Sequence, residues 1–230
     1  MPTLSIVIPA YNEEQFIGTL LSQVQAAPLD RLGVGMEILV VDDCSTDRTS
    51  DIVAAVAGVT LLRQPSNGGK GAAVRAGIAS ATGEYLIIQD ADLEYDPQDY
   101  LPMMEVLLSG RADVVYGSRY LGKGRHPGQS WAAYLGGRSL SLVCRATTGT
   151  YLTDTVTALK LFPRVLLRSL ALQTRGFETD HEITAKVLAR GLRIAEVPVS
   201  YRPRSKAEGK KIGVRDWFIG TRTFWRYRNG

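Results

Sequence analysis

The sequence has few cysteines and histidines and no long apolar segment. Its two cysteines, Cys44 and Cys144, are too few for a disulfide framework and are not spaced as metal ligands, so we expect a reducing compartment. No segment reaches the roughly 18 consecutive apolar residues that a membrane-spanning helix requires, and we expect any membrane contact to be peripheral. The two histidines, His126 and His181, lie in no obvious general-base motif, and we assign neither a catalytic role.

The pattern of a secretory signal is also missing, because the first three residues lead directly into a strand-like run. We therefore expect the chain to stay in the cytoplasm. Its 230 residues, 45% hydrophobic and 22% charged, are typical of one globular domain with a full core.

The net charge of +4 is unevenly distributed. From Arg202 onward there are nine cationic and two acidic residues, whereas the rest of the chain holds 18 cationic and 21 acidic residues. The basic character of the C-terminal segment indicates a localised anionic partner. Nucleic acid is a weak candidate, because the body of the protein is acidic and shows no base-stacking motif. We expect no nucleic-acid partner.

Short apolar runs alternate with helical patterns, which is typical of strand–helix units and a largely parallel sheet. Strands are predicted at residues 4–9, 37–41, 59–62, 84–89, 113–116 and 193–201. Helices are predicted at residues 97–109, 131–147, 163–170 and 179–190, and three earlier helices end near residues 26, 56 and 81. Asn12 is expected to cap the first helix, and Ser45 or Thr46 the second. Residues 120–130 are expected to form a mobile loop. The prediction is one α/β domain, residues 1–211, followed by an amphipathic segment, residues 212–230.

Acidic and polar side chains follow several of the predicted strands, at the edge where open α/β sheets bind ligands. Asp90 and Asp92 are spaced so that both carboxylates face one side while Ala91 points away. Mg²⁺ or Mn²⁺ needs few protein carboxylates, since water and phosphate oxygens complete its coordination. An acidic turn that only caps the helix near Pro97 is the alternative.

The glycine-rich run at residues 67–71, NGGKG, fits neither common nucleotide-binding glycine motif. A tight turn that starts a helix explains it equally well. Enzymes with a nicotinamide site or a P-loop are therefore disfavoured.

Several motifs together resemble the inverting family-two glycosyltransferases, whose fold is the GT-A, Rossmann-like fold. They are residues 8–13 (IPAYNE), 40–47 (VVDDCSTD), 67–71 (NGGKG) and 90–93 (DADL). Six further motifs resemble, more narrowly, the dolichol-phosphate and polyprenyl-phosphate mannosyltransferases. They are residues 117–119 (GSR), 153–155 (TDT), 160–162 (KLF), 176–178 (GFE), 196–199 (EVPV) and 210–212 (KKI).

The resemblance implies roles for individual residues. A divalent metal and the donor diphosphate would be held by Asp90 and Asp92, with Glu94 as a further metal ligand at a position that is often Gln in relatives. Residues implied to bind the nucleotide sugar are Pro9, Tyr11, Glu13, Asp42 at the base or ribose, and Lys70. Basic residues implied to hold phosphate groups of donor or acceptor are Arg119, Arg138, Arg204 and Lys210. The pair Thr157-Ala158 departs from the small residue and glycine that relatives commonly show.

The implied activity is metal-dependent, inverting transfer of a hexose, mannose from GDP-mannose, to a polyprenyl phosphate. A phosphate monoester is mostly dianionic at neutral pH, so it can attack without a general base. Asp90, Asp92, Arg119 and Arg138 would form the catalytic set. Transfer from UDP-glucose and a non-lipid acceptor are the alternatives. Asp154 either orients the sugar or an arginine or is a plain loop residue, and Glu178 and Asp180 have a similar role or cap a helix.

The C-terminal segment, residues 212–227, mixes aromatic side chains with arginines. This composition suits a helix that lies in the headgroup region of an anionic membrane. The alternative is an aromatic stripe that packs on the domain, with the arginines in solvent. Two other classes are less favoured. Sugar nucleotidyl transfer would require a glycine- and lysine-rich loop after the first strand, and a non-catalytic adaptor would be expected to lack Asp90 or Asp92.

Overall fold

A seven-stranded mixed sheet organises the protein in a computed structural model, which describes residues 1–122, 124–204 and 214–229. The strand order is β3-β2-β1-β4-β6-β5-β7, and every neighbouring pair is parallel except those that involve β6. The strands are β1 (Thr3–Ala10), β2 (Gly35–Asp42), β3 (Val59–Arg63), β4 (Tyr85–Ile88), β5 (Val114–Ser118), β6 (Lys160–Pro163) and β7 (Ile194–Pro198).

Helices cover both faces of this sheet. They are α1 (Ile17–Gln25), α2 (Thr49–Ala54), α3 (Lys70–Ser80), α4 (Tyr100–Leu108), α5 (Trp131–Thr148), α6 (Arg164–Ser169), α7 (Thr179–Ala189) and α8 (Val214–Tyr227). Short 3₁₀ turns at Leu29–Leu32 and Pro97–Asp99 complete the regular structure. One core lies between the sheet and helices α1 and α4, and the other between the sheet and helices α3, α6 and α7. This arrangement confirms the predicted α/β class.

The centre of the sheet is apolar on both faces, as expected for a strand with parallel neighbours. Ile6, Val7 and Ile8 of β1 have no exposed surface. Helix α3 approaches β1 closely at Gly77, where a Cβ atom would lie 2.3 Å from a methyl carbon of Val7. The close contact fixes the start of α3, which carries Lys70, near the carboxyl end of β1.

Strand β6 was absent from the predicted elements. It has only four residues, pairs antiparallel with both β4 and β5, and contains the polar residue Lys160. A short run without period-two alternation gives little signal for a strand.

Both predicted helix caps are wrong. Asn12 adopts a positive φ of 54°, and its side-chain oxygen accepts a hydrogen bond from the Thr46 amide at 2.8 Å, so α1 begins later, at Ile17. Neither Ser45 nor Thr46 caps α2. Instead, Asp47 accepts hydrogen bonds from the amide and hydroxyl of Thr49 at 2.9 and 2.6 Å. Polar side chains of these two loops also bind backbone amides of the opposite loop, as Ser45 does at Asn12 and Asp47 at Glu14.

Helix α8 packs on α7 and α5 through Phe224, which is fully buried, and Tyr227. The Trp217 indole donates a hydrogen bond to the Ser139 hydroxyl of α5 at 2.8 Å. The aromatic stripe that packs on the domain, the alternative interpretation of this segment, is therefore present, and the exposed face of the same helix carries Phe218 and Trp225. Within the described part of the chain, every helix is too short or too polar to cross a membrane.

Candidate active site

A pocket opens at the carboxyl ends of β1, β2 and β4, which is the edge where parallel sheets bind ligands. It collects most of the predicted donor-binding residues. The lining residues are Pro9, Ala10, Tyr11, Glu13, Asp43, Asn67, Gly69, Lys70, Ala73, Asp90, Ala91, Asp92, Glu94, Phe177 and Arg204.

Asp90 and Asp92 lie in the turn that follows β4, and both line the pocket. Ala91 between them is 4% exposed and belongs to the core below the pocket. Asp92 accepts a hydrogen bond from the amide of Glu94 at 3.2 Å, and Leu93 takes a positive φ of 58° to close this turn. The local structure thus presents both carboxylates to the pocket, but the turn also brings Ala91 into the lining, so the strand-like alternation expected for these three residues is not seen.

Each of these carboxylates is paired with a basic side chain from another part of the chain. Lys70 Nζ lies 2.7 Å from Asp90 Oδ1, and Arg204 Nη2 lies 2.8 Å from Asp92 Oδ2. Arg204 also pairs with Glu13 at 3.3 Å. Two cationic groups thus offset only part of the negative charge of the pocket, whose lining contains five acidic residues.

The electrostatics of the two aspartates favour a cation. Burial raises the pKa of Asp90, and the charge of Lys70 opposes this shift. Burial and the neighbouring charge of Glu94 raise the pKa of Asp92, while Arg204 opposes. Burial therefore makes the charged form of both carboxylates costly in free energy, and a bound cation would reduce that cost.

The donor set fits a hard divalent ion held by two carboxylates, but not the predicted set of three. Among the described residues, no group of three or more acidic, histidine or cysteine side chains is placed to share a metal. The carboxylate of Glu94 instead accepts hydrogen bonds from the Arg204 amide at 2.7 Å and the Tyr201 hydroxyl at 3.2 Å. Asp90 and Asp92 remain the candidate ligands, with the other positions left to water and phosphate oxygens.

The glycine-rich turn before α3 places Lys70 at the pocket. Gly69 has a φ of 87° and lies so close to the backbone carbonyl of Arg175 that a Cβ atom would be 2.6 Å from its oxygen. Asp43 accepts hydrogen bonds from the amides of Gly68 and Gly69 at 2.8 and 2.7 Å. The turn therefore requires glycine for both conformation and space.

Asp42, predicted to meet the base or ribose, does not line the pocket. It has no exposed surface, and its carboxylate accepts hydrogen bonds from the Ser45 amide at 3.2 Å and the Ser50 hydroxyl at 2.6 Å. The next residue, Asp43, lines the pocket instead. Sequence reasoning could not separate the two, because adjacent residues of a strand point to opposite faces and the register at the strand end was unknown.

Arg119, at the end of β5, lies outside the pocket lining in a closed network. Its guanidinium makes a bidentate contact with Asp154, with distances of 2.6 and 2.8 Å. The amide of Asp154 donates to Glu196 at 2.9 Å, and the backbone carbonyl of Arg119 lies 2.7 Å from His126 Nε2. Asp154 therefore orients an arginine, one of the alternatives left open by the sequence.

Aromatic rings connect this network with the pocket. The guanidinium of Arg119 lies over the rings of Tyr120 and Tyr201, at 5.2 and 5.0 Å, and Tyr201 reaches Glu94. Arg138 of α5 donates to the Thr153 carbonyl at 2.9 Å and to the Tyr151 hydroxyl at 2.7 Å. Lys210, the remaining basic residue predicted to bind phosphate, lies outside the described residues.

Two charged residues near the pocket, Asp180 and Lys160, have little signal in the sequence. Asp180, in the first turn of α7, pairs with Lys70 at 3.2 Å and with Lys160 at 2.9 Å. The sequence signal for Asp180 is the same as that of an ordinary helix cap. Lys160 could have been singled out as one cation inside an otherwise apolar run.

The strand order and the pocket at the carboxyl ends of the parallel strands are those of a GT-A fold. The sequence profile described as glycosyl transferase family 2 matches residues 5–168, so the chain belongs to that family.

Similar curated proteins include a dolichyl-phosphate hexose transferase of Haloferax volcanii, 31% identical over 88% of this chain and 84% of the relative. A dolichol-phosphate mannosyltransferase of Pyrococcus furiosus is 28% identical over 91% of this chain and 59% of its own length. A low-salt glycan biosynthesis hexosyltransferase of Haloferax volcanii is 30% identical over 88% and 48%. The chain thus spans about half to three-fifths of the length of the last two relatives.

Solved structures of glucosyl-3-phosphoglycerate synthase from Mycobacterium tuberculosis share the fold. The complex with uridine diphosphate has a TM-score of 0.75 at 23% identity, and covers 99% of this chain and 80% of the other. A complex with Mn²⁺, uridine diphosphate and glucosyl-3-phosphoglycerate has a TM-score of 0.67 at 25% identity, and covers 90% and 74%.

Proposed function

We propose that the chain transfers a hexose, mannose from GDP-mannose, to a polyprenyl phosphate in an inverting, metal-dependent reaction. The observation that carries the proposal is that Asp90 and Asp92 lie in one pocket and that each pairs with a long basic side chain. Lys70 pairs with Asp90, and Arg204 pairs with Asp92. Such a pocket offers both a cation site and donors for the anionic oxygens of a nucleoside diphosphate. Relatives named as dolichyl-phosphate hexose transferase and dolichol-phosphate mannosyltransferase support the choice of acceptor.

Several residues would act on the donor. Asp90 and Asp92 would hold Mg²⁺ or Mn²⁺, which when bound stabilises the charge that develops on the leaving diphosphate. Lys70 and Arg204 would leave these carboxylates and donate hydrogen bonds to diphosphate oxygens. Pro9 and Tyr11 would line the nucleotide pocket, and Asp43 replaces Asp42 as the acidic residue that faces it.

The acceptor would lie on the side of the pocket toward Arg119 and Arg138. Each guanidinium lies beside the ring of Tyr120, where low local polarity would strengthen a contact with phosphate, and the charge of Arg119 is already matched by Asp154. The acceptor phosphate is dianionic near neutral pH and is itself the nucleophile, so these side chains need only orient it toward the sugar and exclude water.

A peripheral membrane position would bring the chain to such an acceptor. Helix α5 exposes Trp131, Leu135 and Leu142, at 58–62%, and α8 exposes Phe218 and Trp225, at 60–65%. The exposed residues recur at helical spacings of four and seven, so each helix has an apolar stripe. Arginines at positions 215, 222 and 226 of α8 are also exposed. Aromatic and cationic side chains on adjacent helices suit an anionic lipid surface.

The direct test is a transfer assay with GDP-mannose and UDP-glucose as donors and a polyprenyl phosphate as acceptor, with and without EDTA. We expect a lipid-linked sugar that is lost with EDTA and restored by Mn²⁺ or Mg²⁺. If the lipid-linked sugar forms with UDP-glucose and not with GDP-mannose, the proposed sugar becomes glucose, and the proposed lipid acceptor is unchanged.

A non-lipid acceptor is the second candidate function. The solved structures that share the fold include complexes with phosphoglyceric acid, a small phosphorylated acid. The same assay with soluble acceptors, including phosphoglyceric acid, separates the two. Transfer to a soluble acceptor together with no lipid product would overturn the lipid-acceptor proposal.

A further inference from the structure

Four charged residues form a chain that runs from the pocket into the interior, in the order Asp90, Lys70, Asp180, Lys160. The successive distances between the charged atoms are 2.7, 3.2 and 2.9 Å. The four residues come from the turn after β4, the start of α3, the first turn of α7 and the start of β6. Lys70 and Asp90 line the pocket, whereas Asp180 and Lys160 lie behind it.

The inner half of this chain is deeply buried. The side chain of Lys160 has no exposed surface, and that of Asp180 is 8% exposed. Lys160 also donates to the carbonyl of Thr157 at 2.7 Å and lies 5.2 Å from the ring centre of Tyr116. Burying ions costs free energy that the contact between them repays only in part, so such a pair is a poor device for stability alone.

Asp180 uses one carboxylate oxygen for each lysine. Oδ1 accepts from Lys160, and Oδ2 accepts from Lys70. Burial alone would raise the pKa of Asp180, but the charges of Lys160 and Lys70 lower it to about 2. The carboxylate therefore stays ionised near neutral pH, and Lys160 fixes its orientation from behind.

Lys70 is held between two acceptors that differ in accessibility. Asp90 faces the pocket and is a candidate ligand for a cation, so its contact with Lys70 is open to exchange. Asp180 does not line the pocket, so its contact with Lys70 can persist when a ligand binds. When Lys70 pairs with Asp180 alone, its ammonium group remains close to the pocket and still has hydrogen-bond donors available for an anion.

We propose that Asp180 is a positioning residue that holds the Lys70 ammonium at the pocket edge for the diphosphate of the donor, with Lys160 as its support. This inference rests on the proposed function, because it requires a nucleoside diphosphate in the pocket. Without Asp180, Lys70 would pair only with Asp90 and would compete with the divalent ion for that carboxylate.

The test measures binding of GDP and UDP, with Mn²⁺ titrated, by calorimetry on the whole chain. Asp180→Asn should weaken binding of the diphosphate that the wild type prefers by roughly tenfold, the size expected for a charge-assisted hydrogen bond. It should also raise the Mn²⁺ concentration needed for half-maximal binding. If wild-type and Asp180→Asn proteins bind equally well and need the same Mn²⁺ concentration, the positioning role is wrong while the proposed function stands. If the wild type binds neither diphosphate, both fall.

A matched control separates positioning from folding. Glu182 lies on the same helix, its side chain is fully buried, and it pairs with Lys186 at 2.7 Å, but it does not line the pocket. Glu182→Gln should lower the unfolding temperature and leave diphosphate affinity within about twofold. Equal losses of affinity in both variants would reduce Asp180 to a structural residue.

Two further measurements extend the test, the first for the case in which Asp180→Asn folds poorly and the second for the case in which it folds. Asp180→Asn combined with Lys160→Met leaves no unpaired lysine in the interior and should weaken binding as Asp180→Asn does. In the second, Lys70→Met should weaken binding by a similar factor, and adding Asp180→Asn should cause little further loss, because both changes remove one interaction. Fully additive losses would contradict the proposal.

Discussion

The pocket and the Arg119 network both contain ion pairs with little exposed surface, but the pairs differ in what surrounds them. Asp90 and Asp92 line an open pocket, where Lys70 and Arg204 can be exchanged for ligands. Asp154 is 1% exposed, holds Arg119 with two contacts and is itself fixed by Glu196. An ion pair between a carboxylate and a basic side chain can therefore be open to ligand exchange, as in the pocket, or can fix the local geometry, as in the Arg119 network.

The largest expected loss of stability follows a substitution of Asp154. Asp154→Asn should lower the free energy of unfolding by about 3–5 kcal/mol, because it leaves the charge of Arg119 buried without its partner. Chemical denaturation measures the change. Asp92→Ala should cost less than about 1 kcal/mol, since its carboxylate is already penalised by burial and by Glu94. Equal losses for the two variants would show that both ion pairs are structural.

The opposite contrast should appear in activity. Asp92→Ala should reduce metal-dependent transfer by about 100- to 1000-fold, because the leaving diphosphate loses the cation that stabilises it. Initial rates at saturating donor measure this, and circular dichroism checks the fold. Asp51→Asn, a change at an exposed acidic residue of α2, is the matched control and should leave the rate unchanged. Retained metal-dependent activity in Asp92→Ala would reject the metal site.

The pH dependence of stability at His181 tests whether the interior behind the pocket is closed to water and charge. It packs against Phe224, with 5.2 Å between ring centres, and neither ring nitrogen hydrogen-bonds to any residue in the described ranges. Burial lowers the pKa of His181 from 6.5 to about 4. Below pH 6.5 the unfolded chain therefore takes up a proton that the folded chain refuses, and stability is lost as the pH falls toward 4.

His181→Phe should remove this dependence. Between pH 6.5 and 4, the wild type should lose up to about 3 kcal/mol more unfolding free energy than the variant. Denaturation at several pH values measures the two slopes. Parallel curves would mean that water or a charge reaches the interior at this point.

The smallest expected effect concerns the exposed face of α8 rather than either ion-pair region. Trp225→Ser should weaken binding to anionic phospholipid vesicles by roughly three- to tenfold, because it removes apolar surface from the lipid interface. Vesicle sedimentation measures this, and Val165→Ser, at a residue of α6 that is 74% exposed, is the control. If both variants bind as the wild type does, α8 makes no lipid contact. Truncation before Ile212 should have a larger effect in the same assay.

The sequence predicted the regular part of the molecule well. Apolar runs that alternate with helices identify β1 to β4, and the position of Asp90 and Asp92 directly after an apolar run places them at the edge of the sheet where the pocket lies. These features depend on local pattern. The resemblance to family-two glycosyltransferases supplied the roles, which no local pattern provides.

Features set by contacts between distant segments could not be predicted. Whether Asp42 or Asp43 faces the pocket depends on how β2 ends against its neighbours. Asn12 binds the next loop instead of capping α1. Asp180 contacts Lys70 only because α3 and α7 are neighbours in the folded chain. The last two contacts join residues that lie 34 and 110 positions apart in the chain.

The most direct test of the account is a crystal structure with Mn²⁺ and GDP or UDP, with the ion located by its anomalous scattering. We predict Mn²⁺ bound by carboxylate oxygens of Asp90 and Asp92 and by the diphosphate, with Arg204 displaced from Asp92. Mn²⁺ and diphosphate located away from these two aspartates, with the Arg204–Asp92 pair intact, would contradict it.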